Sequence, residues 1–544
     1  MPGSNPIDLR ATRGLNRYFI PTWVFLWGTV VVYSAVYLGH PSLPGNNLAF
    51  PQGWWGWFDQ SQYLKEAKAL AAHQFSPDNF YYPVLYPLIG RIFLHWTPNH
   101  PFFLFDGFSL LLFVYVFVKF ADHYLSRVEI LVITAASIWF QPTVIDNFAI
   151  PWTTSGTTLI YALSLLILIR QRDTRQRDDD SPAALLWAGL LSLLFGALII
   201  LRPVDVVLAA VFFPAYIYFA LPFRDIASLL RQRRRVLAIC SALGLGIVFG
   251  LMLFAAVNYR IYGKPMGGYL QSTAGASGYF ITELPRKTWS LLFDANSIYL
   301  EPQAALVTHY PWLLLSIVGV VIAIARGDQL LRVVALAILL HFALYAPYGD
   351  LLPEGMWRYH NIHYFKWAIP YLALLAWLAL RWVWGGSESR LQSRVLRASC
   401  AAILVLLVLC LQFKISDIDS IQQAHSTSQD GNPVIEVVWS AHKSPADFID
   451  FHGLTGQFTD VYFGQHRVWV DGHELGRIRD FRMIPAPWGV RLLFNRPVTG
   501  SDFKLLTGKG LTVQSEALQV VAASYRLAPG RPRLPVFARK LEEY

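Results

Sequence analysis

Carboxylates and guanidinium groups set between long apolar runs are the residues of this chain best placed to do chemistry. Asp59 opens a helix-forming stretch at 60–72, so Asp59, Tyr63 and Glu66 share one helical face. An Asp at that point is a natural N-cap, its side-chain oxygen accepting from the next turn's backbone. It can equally serve as a general base that takes a proton from a hydroxyl. The two roles are compatible, because a capping carboxylate is held rigidly. Asp146, in Val144-Ile145-Asp146-Asn147, is a second acidic candidate, with an ordinary turn residue as the alternative. Arg202 lies between two apolar runs, where a charge is expensive unless it is paired or functional. It either snorkels beside Asp205 or grips an anion. Arg260, Lys264, Arg358 and His360 are further cation candidates, with Arg286 and Lys287 behind them. Tyr359, His360 and His363 crowd Arg358 with polar groups, and a guanidinium fork suits bidentate phosphate contact. Arg260 and Lys264 are equally well read as solvated loop residues.

The elements that must position these groups follow from composition. Of the 544 residues, 54% are hydrophobic and only 15% charged, with a formal net charge of +10. A soluble domain carries about 25% charged residues. The balance excludes a soluble enzyme, a disordered chain and a collagen-like fibre, and the scattered basic residues disfavour nucleic-acid binding. The reading is an all-α polytopic membrane domain followed by a small β-rich domain. Apolar runs predict about eleven spans: 19–39, 101–121, 128–141, 153–170, 183–201, 203–221, 236–257, 308–325, 332–347, 364–384 and 399–414. The run 81–96, with Pro83, Pro87 and Arg91, reads as a juxtamembrane or re-entrant helix. Basic clusters fall in alternate loops, which places the N-terminus in the cytoplasm and the loops 40–100, 258–307 and 348–363 outside. The membrane domain is 1–414. Residues 415–544 form a β-rich, sandwich-like domain on the outer side, with short alternating runs at Val434–Trp439, His466–Val470, Gly489–Phe494 and Leu511–Val521. Asp471-Gly472 between two such runs is a hairpin signal. Cys240, Cys400 and Cys410 all lie in or beside apolar runs, so no disulfide framework is expected in the outer domain.

Several outer-loop motifs together resemble the GT-C glycosyltransferases, integral-membrane enzymes that use polyprenyl-phosphate sugars. These include protein mannosyltransferases, aminoarabinose transferases and arabinofuranosyltransferases. The motifs are Asp59 with Tyr63 four residues on, then Tyr81-Tyr82-Pro83-Val84-Leu85-Tyr86-Pro87-Leu88, and Arg202-Pro203. They continue with Asn258-Tyr259-Arg260-Ile261-Tyr262-Gly263-Lys264-Pro265, Gly268-Tyr269 and Trp357-Arg358-Tyr359 before a span with Pro370. Gln60 stands where the family commonly has a second acid, and Trp357 where it has Gly. The resemblance implies an inverting transfer from a polyprenyl-phosphate donor to an acceptor hydroxyl of a glycan, lipid or protein, in a bacterial inner membrane. It implies Asp59 and Asp146 as catalytic carboxylates and Arg202, Arg260, Lys264, Arg358 and His360 as holders of the donor phosphate. Trp57, Tyr63, Tyr82, Tyr86, Tyr269 and Tyr359 would line the substrate pocket. A lipid phosphate is already a good leaving group, so one base and several cations suffice, without the second carboxylate of a glycosidase.

No cofactor is required on this reading, although a divalent cation is compatible with it. Asp59, Asp146, Glu301, Glu354, His360 and His363 are scattered oxygen and nitrogen ligands with no metal-site spacing. His73, His95, His100, His309 and His341 are singletons, expected to be structural. Trp54, Trp55 and Trp57 either belong to an interface belt or stack on a sugar face. A transporter or flippase of lipid-linked sugars is the competing reading. It predicts repeated halves, and no internal repeat is visible in the chain. A receptor or scaffold working through its outer β domain leaves the outer-loop motifs unexplained.

Overall fold

In the computed structural model the described residues are 20–39, 44–47, 50–52, 58–176, 183–221, 233–269, 284–293, 305–349 and 360–384, most of 411–529, and a few single positions such as Tyr279 and Leu351. The principal helices are α1 (Thr22–Gly39), α2 (Phe58–Ala71), α3 (Leu85–Phe93), α4 (Phe103–Ala121), α5 (Arg127–Thr134), α6 (Pro142–Ala149) and α7 (Thr153–Gln176). They continue with α8 (Ala183–Leu201), α9 (Ala209–Ala220), α10 (Arg233–Tyr262), α11 (Leu284–Leu292), α12 (Leu313–Arg326), α13 (Gln329–Tyr345) and α14 (Ala368–Trp384).

Six helical segments among the described residues are long and apolar enough to cross a membrane: α1, α4, α7, α8, Pro203–Ala220 and α10. Three shorter apolar helices, α12, α13 and α14, lie where further spans are expected. The count of about eleven from span length is therefore met only in part. The run 128–141 is α5 followed by a π turn, Ala135–Trp139. The run 399–414 falls largely outside the described residues, and a strand already begins at Leu411.

Close backbone approach holds part of the bundle together. A Cβ built on Gly246 would stand 2.3 Å from the Ser192 carbonyl carbon, and one on Gly196 would stand 2.1 Å from the Gly246 oxygen. Only small residues let two helices meet this way in lipid, where there is little hydrophobic drive between them. At one end of the bundle the loop charges pair. Arg172 meets Asp328 at 3.0 Å, Arg127 meets Asp122 at 2.7 Å and Arg381 meets Glu129 at 3.6 Å. The Tyr124 hydroxyl donates to Asp328 at 2.8 Å. These residues come from or border the alternate basic loops, so those that pair share one end.

The C-terminal region is a two-layer β structure. One five-stranded sheet has the order Phe481–Ala486, Gly489–Val498, Ala446–His452, Gln519–Pro529, Leu411–Ile421. The other has the order Ala424–Gln429, Asn432–Val438, Asp502–Leu506, Arg467–Val470, His473–Leu475. Alternation along the strands puts Ile449, Phe451, Leu492 and Phe494 of the first against Ile435, Val437, Phe503 and Leu505 of the second, in one core. The Asp471-Gly472 hairpin forms as expected, with positive φ at both residues (48° and 76°) and Val470 facing His473. The expected strand at Leu511–Val521 divides into Leu511–Val513 and Gln519–Pro529.

The first sheet is covered on both faces. Phe448, Ile484, Leu493 and Ala523, on its second face, join the helical core. α11 anchors it: Arg286 reaches Asp447 at 3.0 Å and the Phe494 carbonyl at 2.5 Å. Arg482, from the sheet, donates to the Gly349 carbonyl. Arg286, read as a reserve phosphate ligand, is committed to this joint.

Candidate functional site

The site grows from α2. Its helix-forming sequence starts at Phe58, so Asp59 lies in the first turn rather than at the cap, where a carboxylate still complements the helix dipole. Lys65, Lys68 and Ala71 are exposed along the helix, and Asp59 and Gln62 are partly so. The Gln60 amide donates to the Pro151 carbonyl at 2.8 Å, which ties α2 to the start of α7. The buried Glu66 accepts the backbone N–H groups of Tyr81 and Tyr82, both at 2.8 Å. This fixes the aromatic loop over α2. Burial pushes the Glu66 carboxyl up to about 8, against the pull of those two N–H groups and of Lys65.

With the loop so held, the Tyr82 hydroxyl donates to Asp59 Oδ1 at 2.5 Å. The Tyr63 ring packs 4.7 Å from Tyr82 and 5.1 Å from Tyr86, and the Tyr269 ring lies 5.6 Å from Tyr82. Four of the sequence-predicted pocket residues, Tyr63, Tyr82, Tyr86 and Tyr269, thus form one aromatic cluster that meets Asp59 through Tyr82.

Arg202 approaches from the other side. It ends α8 ahead of Pro203, which is suited to the first position of the following 3-10 turn. Its Nε donates to Asp205 at 3.0 Å, Nη1 to Thr153 at 3.0 Å and Nη2 to the Tyr345 hydroxyl at 2.6 Å. Its guanidinium lies 5.1 Å from the Tyr364 ring centroid. Asp205 is buried and also accepts from Tyr345 and from Thr157. Behind it the Trp367 indole N–H donates to His341 Nδ1 at 3.0 Å. Since an indole only donates, Nδ1 is the acceptor and the ring proton sits on Nε2, which faces Asp205 at 3.6 Å. Each remaining guanidinium nitrogen keeps an N–H beyond its protein bond at Nη1 and Nη2, enough for a two-point anion contact.

Tyr63 joins the two halves. Its side chain lies near Thr153, the residue that also receives Arg202, and within electrostatic reach of both Asp59 and Arg202. A carboxylate and a guanidinium from separate loops therefore flank one buried tyrosine.

Two of the cation candidates do not arrive there. Arg260 is exposed, with its guanidinium 5.3 Å from the Phe75 ring, and Lys264 is exposed as well. Asp146 is half-buried on α6. Trp57, Arg358, Tyr359, Glu301 and Glu354, and the side chain of His360, lie outside the described residues. Among the described residues no three His, Cys, Asp or Glu side chains group as a metal ion would need.

Beside the site is a buried polar cluster. Lys366 donates to the Asn147 carbonyl at 2.8 Å and to Ser155 at 2.9 Å. Asp106 accepts from the Tyr86 hydroxyl at 2.8 Å and interacts with Ser155 and Lys366. Both charges are almost wholly buried. Asp106 and Lys366 interrupt apolar runs, which is the signal that singled out Arg202. His341, read from the sequence as a structural singleton, is buried between Trp367 and the Arg202–Asp205 pair.

The joint to the β region ends near the same place. Lys287 donates to the Tyr348 carbonyl at 2.6 Å, and the Tyr348 ring stands edge-on to Tyr364 at 5.9 Å. No protein-family model matches the chain, and no curated protein matches its sequence.

Proposed function

We propose that this chain is an inverting membrane glycosyltransferase that moves a sugar from a polyprenyl-phosphate donor to an acceptor hydroxyl. What supports it above all is that Asp59, held by Tyr82, and Arg202, held by Asp205, Thr153 and Tyr345, stand on either side of the buried Tyr63. Asp59, oriented by Tyr82, takes the acceptor proton. The freed oxygen attacks the anomeric carbon, and the bond to the phosphate oxygen breaks with its electrons leaving on the lipid phosphate. Arg202 stabilises that charge as it develops. The partly exposed rings of Tyr82 and Tyr269, backed by the buried Tyr63, suit the apolar face of a sugar. By the positive-inside rule the site opens on the outer side of a bacterial inner membrane, with the N-terminus in the cytoplasm.

The test is transfer of labelled sugar from a panel of polyprenyl-phosphate donors in proteoliposomes containing the purified protein. The expected result is a glycosylated product that Asp59→Asn abolishes without changing the protein's monodispersity. Near wild-type transfer by that variant would overturn the base assignment. Movement of the lipid-linked sugar between leaflets with no product would favour the flippase reading.

A further inference from the structure

The outer face of the second sheet carries a side-chain row that neither the fold nor the proposed transfer uses. Register sets Glu436 opposite Lys504, Lys504 opposite Trp469, and Trp469 opposite Glu474. Their strand neighbours Ile435, Val437, Phe503, Leu505, Val468 and Val470 point into the sandwich core, so this row points out. Trp469 is half-buried among the charged residues and belongs to neither hydrophobic core. It borders a shallow cleft with Arg467, Lys504, Asp502 and Gln429. The cleft has a stiff rim: the Asp502 N–H donates to Asp471 Oδ1 at 2.9 Å, and the Asp471 N–H donates to the Asp502 carbonyl at 2.8 Å.

The charges around the indole cancel in place. Lys504 pairs with Glu436 at 2.9 Å, and Arg467 with Glu474 at 3.8 Å. An anionic ligand or a nucleic acid calls for a surplus of cations, and the described residues around Trp469 give none, Arg467 and Lys504 being matched by Glu474, Glu436 and Asp502. A bilayer fits this charged face poorly, and it is the other sheet that packs on the membrane-crossing helices. What fits is an uncharged ring with an apolar face for the indole and hydroxyls for the rim. Arg467 and Lys504 donate to such hydroxyls, while Asp502 and the Gln429 carbonyl accept from them.

We propose that this face is a binding platform for a neutral glycan, with Trp469 stacking on a pyranose ring, at a site distinct from the one at Asp59 and Arg202. Binding needs no donor lipid, so the platform stands or falls separately from the transfer reading.

The test is affinity electrophoresis of the full-length protein in detergent through gels holding a mannan, a galactan, a glucan or the anionic polygalacturonate. At least one neutral polymer should retard the wild type, with little dependence on salt. Trp469→Ala should weaken that retardation by about tenfold or more, while Trp469→Tyr keeps part of it. An unchanged melting temperature in Trp469→Ala establishes that the loss is one of contact. The proposal is overturned if no neutral polymer retards the wild type, if Trp469→Ala is retarded equally, or if only polygalacturonate acts and salt abolishes its effect.

Discussion

Tyr82 is bonded at both ends: its hydroxyl donates to Asp59, and its backbone N–H is held by Glu66 seven residues further along the same helix. α2 thus supplies both the proposed base and the fixture for the residue that aims it. Tyr82→Phe keeps the ring packing and removes only the bond to the carboxylate. A hydrogen bond to a charged group contributes about 1.5–3 kcal/mol, so transfer should fall by roughly ten- to a hundredfold in kcat. The melting temperature should stay near that of the wild type.

Arg202→Lys tests whether the fork matters or only the charge. A lysine cannot reach Asp205, Thr153 and Tyr345 together. Transfer should drop by about 10²–10³-fold, as for the loss of a preorganised donor to a developing oxyanion. A rate close to wild type would show that a point charge suffices.

Glu66 predicts a pH effect with a definite sign. Its folded value of about 8 lies above the ordinary 4.5, so between those values the folded protein keeps a proton that the unfolded chain has released. Its contribution therefore falls as pH rises from about 4.5 to about 8 and is flat above that. Melting curves of wild type and Glu66→Gln across this range should diverge, with the glutamine variant lacking the added slope.

The Asp106–Lys366 cluster should behave as a unit. The two side chains act on each other without a direct ion pair, so removing either leaves buried polar groups of the cluster short of a partner, at a cost of about 1–3 kcal/mol. Asp106→Asn and Lys366→Met should each lower the melting temperature sharply, and the double variant should recover a large part of the loss. Additive losses in the double-mutant cycle would show that the two side chains are not coupled.

Gly246→Val places a branched side chain against the Ser192 backbone, which an added Cβ would already approach within 2.5 Å. The α8–α10 contact cannot form as it stands. Yield of folded protein after detergent extraction should collapse, whereas Gly244→Ala in the same helix, where nothing lies within 4 Å, should be tolerated.

How much of this is legible in the sequence depends on the range of the interaction. Hydropathy locates most of the helices because apolar length is a local property, and Asp471-Gly472 announces its hairpin because its geometry needs only two residues. The convergence of Asp59, Tyr63, Tyr82, Tyr269 and Arg202 follows the outer-loop motifs. Of the partners that hold Arg202, Asp205 is legible three residues on, whereas Thr153 and Tyr345 look like any polar or aromatic residue at a span end. Asp106 and Lys366 were readable in principle, because an ionisable residue inside an apolar run always asks for a partner. The strand Ala446–His452 is obscured by burial on both faces, which removes the alternation that reveals half-buried strands.

That double burial has a practical corollary for the β region. Cut free of the helices, residues 411–529 would bare Phe448, Ile484 and Leu493 to water, with the Arg482 guanidinium stripped of its carbonyl acceptor. A secreted fragment of this kind should self-associate unless that sheet face is redesigned. The two parts of the polypeptide are joined less like beads on a string than like a lid moulded to its vessel.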